Sequence, residues 1–167
     1  MKWPAVLILA ALILSAVIQI TGEFANILKE KLALNAALVN SCRAAHSNSL
    51  SIWHMMNMDA HVGADDFMRL FSDAFASSLD LSHNFNKSAN TDNRVVFVSN
   101  AGRFNEITVA FEYSDAADNH GRPVTLVCVS LQTPYMFRTY WLSLVNGVSN
   151  DDYLLTDKRE FIVQIIN

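Results

Sequence analysis

Residues 3–22 (WPAVLILAALILSAVIQITG) carry no charged side chain, and no other feature of the chain restricts its folding options as far. Wound as a helix, these twenty residues reach about 30 Å, the thickness of a bilayer's hydrocarbon core. Only Ser15, Gln19 and Thr21 are polar among them, and hydroxyls can bond back to their own helix. A cleaved signal peptide is the competing explanation, since Met1-Lys2 precedes the apolar run. Signal cores, however, run about 7–15 residues and end in a small-x-small site. Here Ala16 is followed by Val-Ile-Gln-Ile-Thr-Gly-Glu, and helix formers continue through EFANILKEKLALNAALVNSCRAA. The pattern predicts a retained transmembrane anchor over 1–22. Lys2 and the α-amine favour a cytoplasmic N-terminus, placing 23–167 outside the cytoplasm as one domain.

Pro4 suits the first turn of a helix, where its missing N–H is not needed. From there to residue 47 no proline appears and Gly22 is the only glycine, which predicts one helix of about forty residues and roughly 60 Å. Its second half, 23–47, is amphipathic. Leu28, Leu32, Val39, Cys42 and Ala45 mark the expected packing face, with Lys29, Lys31 and Arg43 in water. Residues 47–62 form a mixed connector whose state the pattern leaves open. A second helix is expected over 64–80, opened by Asp65 and Asp66, with Phe67, Leu70, Phe71, Phe75 and Leu79 on one face.

After a Ser/Asn/Asp-rich loop at 81–93 the apolar period changes to two. Strands are expected over 94–99, 106–113 and 124–131, with a turn-rich loop between the last two, and a closing strand over 160–166. Thr133-Pro134 ends the third strand, and the aromatic run 135–145 could be a short helix or a strand. Helices first and strands later define an α+β fold with a mostly antiparallel sheet, covered by the second half of the first helix and by the second helix.

Composition narrows function mainly by exclusion. A net charge of −4 and a pI near 5.6 argue against nucleic acid, for which a basic face is expected. The five histidines (His46, His54, His61, His83, His120) match no metal-ligand spacing, so neither a metal nor another cofactor is expected. Asp115, Asp118 and Asn119 beside Gly121 lack the alternating ligands of a calcium loop and suit a hairpin turn. No GxSxG, P-loop or GxGxxG occurs, so no enzyme activity is expected. Cys42 and Cys128 are either one disulfide between the first helix and a strand or two buried thiols. The cluster Tyr135, Phe137, Tyr140 and Trp141 is either core or an exposed interaction surface.

An apolar span running into an exposed amphipathic helix, then a small antiparallel sheet, resembles the type IV pilin-like proteins. In detail the chain looks like the TadE-like minor pilins (pseudopilins) of tight-adherence systems. The juxtamembrane LALNAALVNSCRAA, the second helix DDFMRLFSDAFASSL, the strands EITVAFEY and VTLVCVSL, and the turn at Thr133-Pro134 carry the likeness. The segment before the span, Met1-Lys2-Trp3-Pro4, has neither the glycine nor the glutamate that such precursors usually carry there, which implies a processed chain or a divergent member. The resemblance implies an assembly component of a pilus or secretion apparatus in the cell envelope, partnered by the membrane and by other pilin-like subunits or envelope assembly proteins. It places Leu7, Leu14 and Ile18 on the packing helix and makes Glu23 the exit from lipid. A single-pass accessory binding module, anchored but not polymerising, is the alternative.

Overall fold

Nothing in the first fifty-odd residues interrupts the i to i−4 ladder, and α1 accordingly runs unbroken over Trp3–Met55, 53 residues and about 80 Å. The computed structural model describes residues 3–55, 64–83, 93–117, 123–139, 142 and 153–165. Helicity thus continues through the first part of the connector that the pattern left open; its residues 56–62 lie outside the described ones.

Helix α2, Ala64–Leu79, begins with Asp65 and Asp66 in its first turn, where carboxylates meet the positive end of the helix dipole. It buries Phe67, Met68, Phe71, Phe75 and Ala76. Asp80 ends it in the left-handed region (φ 53°), and its backbone oxygen accepts the Asn100 amide at 3.2 Å. Five strands follow: β1 (Leu81–His83), β2 (Arg94–Ser99), β3 (Ile107–Ala117), β4 (Pro123–Pro134) and β5 (Leu154–Ile165). They form one antiparallel meander in chain order, each strand beside the next. The α+β arrangement with a long apolar N-terminal helix, a short helix and an antiparallel sheet is therefore the fold.

Alternation places Val95 and Phe97, then Ile107, Val109 and Phe111, then Val127, Val129 and Leu131 on the face toward the helices. Phe71 stacks on Phe75 at 5.4 Å and meets Phe111 edge-on at 5.2 Å, while Phe75 meets Phe97 at 5.0 Å. These rings and the buried stripe of α1 form one core. The Tyr113 hydroxyl donates to the Ala64 carbonyl at 3.1 Å and fixes the start of α2 on β3.

Three expectations need correction. Residues 81–83 are not loop: Leu81 buries its side chain, and the short edge strand pairs with β2. β5 starts at Leu154, six residues earlier than the apolar pattern suggested, because it is an edge strand whose Thr156, Lys158, Arg159 and Glu160 can stay in water. The third correction concerns which face of α1 packs. Leu28 and Leu32 are 61% and 69% exposed, whereas Leu34, Ala37, Leu38, Ser41, Cys42 and Ala45 are buried. Extended toward the N-terminus by heptad steps, that buried stripe includes Glu30 and Glu23. Counting carboxylates as wet residues rotates the apparent apolar face away from the true one, since the side chains that satisfy them come from far along the chain.

Candidate functional site: a carboxylate collar at the base of the domain

From Trp3 to Gly22 every residue of α1 is exposed. The helix is long and apolar enough in this part to cross a membrane. Leu7, Leu14 and Ile18 are each about 60% exposed or more, so the chain's own domain leaves this side of the span uncovered. Glu23 follows directly and is 3% exposed. The change in environment falls between adjacent residues.

What covers Glu23 is the segment after β4, residues 135–139, which crosses α1 at this level. The Tyr135 hydroxyl donates to Oε1 at 2.8 Å and the Arg138 amide donates to the same oxygen at 3.0 Å. The Thr139 amide and Oγ1 both donate to Oε2, at 3.1 and 2.5 Å. A carboxylate has about four lone-pair sites, so this one is fully used. One turn-pair further along, Glu30, also buried, accepts a 2.8 Å charged hydrogen bond from Arg138 Nη2. Asn105 Nδ2 donates to the Pro134 carbonyl at 3.0 Å and ties the β2–β3 turn to the same segment.

The electrostatics follow from these contacts. Burial would raise the Glu23 carboxyl, but the bonds from Thr139, Arg138 and Tyr135 outweigh it and hold the group below its ordinary 4.5. Tyr135 moves the other way, pushed above its ordinary value first by burial and then by its bond to the Glu23 carboxylate. Neither group is poised to exchange a proton near neutrality. The arrangement is a mechanical joint: it fixes the base of the sheet to the helix at the point where the apolar span ends.

The expected aromatic surface divides. Tyr135 is buried and belongs to the collar rather than to an exposed patch, and Phe137 is half-buried edge-on to it at 5.1 Å. Tyr140 and Trp141 lie outside the described residues. Cys42 and Cys128 are both free and buried. Strand alternation explains their separation: Val127 and Val129 join the core with Cys42, which leaves Cys128 on the other face of the sheet. Burial pushes the Cys42 thiol up to about 12. Among the described residues no group of three His, Cys, Asp or Glu side chains could hold a metal ion. His61 and His120 lie outside them; His83 sits on Phe97, with Nε2 3.6 Å from Asp73.

Glu30, Arg138 and Thr139 were not singled out by sequence pattern. The available signal was the seven-residue spacing of Glu23, Glu30 and Ala37, with Leu34 and Ser41 four residues on from the last two. The chain matches no protein-family model, no curated protein and no solved structure.

Proposed function

We propose that this chain is an envelope assembly subunit of the minor-pilin or pseudopilin kind. In this reading it is anchored by residues 3–22, with its N-terminus cytoplasmic and its domain outside. The observation that carries the reading is the exposed apolar surface of α1, which does not stop where the span stops. Phe24, Leu28 and Leu32 follow at four-residue intervals and are each more than 60% exposed. A bare anchor needs apolar surface only to the edge of the hydrocarbon. This stripe runs on for ten residues past Gly22, about 15 Å of helix. Apolar side chains on such a face suit packing against other helices, ridge into groove. The collar supports the same reading, because it makes the helix and the sheet move as one body.

Single cysteines at Leu7, Leu14, Ile18 and Leu28, placed in a chain lacking Cys42 and Cys128 and expressed in its native membrane, test the proposal. Crosslinks at these positions, which share one helical face, to a second copy or to a co-expressed pilin-like subunit, are the expected result. A protein that inserts and folds yet crosslinks at none of these positions would instead be a lone anchored binding module.

A further inference from the structure

Two recesses adjoin the collar. The first, about 420 Å³, is lined by Asn26, Lys29 and Glu30 of α1, by Arg103 of the β2–β3 turn and by Arg138. Three cations against one carboxylate give it a local excess of positive charge on a chain whose net charge is −4. Arg138 uses one nitrogen on Glu30, leaving other donors of its fork, and the Arg103 guanidinium is held 4.9 Å over the Phe104 ring. The second recess, about 210 Å³, is almost wholly apolar, with Ile20, Phe24 and Ile27 of α1 facing Phe137 and Tyr153. Phe137 and Arg138 are neighbours, so the two recesses meet along one segment.

Their order along α1 is the informative point. The apolar recess spans Ile20 to Ile27, level with the end of the span, and the cationic one spans Asn26 to Glu30, further out. Lys29 lies seven residues beyond Gly22, about 10 Å of helix. Helical side chains lean toward the N-terminus, and a lysine stem reaches back toward the interface, so its ammonium falls at headgroup depth.

We propose that the two recesses form a site for one anionic phospholipid. Its phosphate is held by Lys29, Arg103 and Arg138, and the upper part of an acyl chain lies against Ile20, Phe24, Ile27 and Phe137. The inference rests on residues 3–22 spanning the bilayer. It adds that the collar is seated on a particular lipid, which would fix the height and tilt of the helix before any partner is met.

The test is native mass spectrometry of the full-length protein in detergent micelles, titrated with phosphatidylglycerol or with phosphatidylcholine of the same acyl chains. One phosphatidylglycerol should be retained with a preference of about tenfold or more, as expected for several cations at a headgroup. Lys29→Gln with Arg103→Gln should reduce retention to the phosphatidylcholine level, and each single change should fall between; none of these touches the bonds of Glu23. Excess glycerol phosphate should not displace the lipid. Equal retention of the two lipids, an undiminished preference in the folded double variant, or displacement by glycerol phosphate would each overturn the proposal. Extraction of the same membranes with alkaline carbonate separates the premises: a released chain removes the spanning helix itself, whereas a retained chain without lipid preference removes only the lipid site.

Discussion

The Tyr135 hydroxyl donates a 2.8 Å hydrogen bond to Glu23 across 112 residues of chain. It joins the end of the fourth strand to the first residue past the apolar span. Local preference contributes nothing to such a bond, which forms only when the whole sheet is in place.

Glu23→Ala removes the acceptor for Tyr135, Thr139 and two backbone amides at once. Buried donors left without partners cost about 1–3 kcal/mol each and not additively, so a loss of about 3 kcal/mol is expected. Thermal unfolding of the full-length protein in micelles should show a fall in Tm of roughly 6–12 °C, at about 2–4 °C per kcal/mol for a chain this size. An unchanged Tm would mean the collar contributes nothing to stability.

The same carboxylate sets a pH dependence. Its folded-state pKa lies below the ordinary 4.5, so its contribution is complete above about 4.5 and is lost as pH falls through the folded value. Wild-type Tm should therefore drop more steeply below pH 4.5 than that of Glu23→Gln, which does not titrate at this position. Parallel curves for the two proteins would contradict the assignment.

Cys42, buried and with its thiol pushed up to about 12, carries almost no thiolate at neutral or mildly alkaline pH. Iodoacetamide should leave it unmodified in the native protein and label it fully in denaturant. Non-reducing and reducing electrophoresis should also agree after mild oxidation, because the sheet lies between Cys42 and Cys128. A Cys42–Cys128 disulfide found by peptide mapping would refute this account of the two faces.

The two apolar faces of α1 should respond in opposite ways. Leu34→Ala empties a core position, 1% exposed, and is expected to cost about 3 kcal/mol. Leu28→Gln, at a site 61% exposed, should change stability by no more than about 0.5 kcal/mol. On the proposed assembly function it should nevertheless weaken crosslinking between subunits. A large stability loss from Leu28→Gln would restore the face that simple apolar counting selects.

What the amino-acid sequence determined by itself is whatever depends on composition and short-range period. Twenty uncharged residues set the apolar span, the Phe67–Phe71–Phe75 spacing set α2, and the two-residue alternation set β2, β3 and β4. Only the tertiary structure decided which side of α1 meets the domain. The packing face carries two glutamates, and a buried carboxylate is tolerable only where donors converge on it. Those donors, Tyr135, Arg138 and Thr139, are more than a hundred residues away. The separation of Cys42 from Cys128 was decided in the same way: strand alternation was legible, but the direction of the core was not until both helices had packed on one side of the sheet.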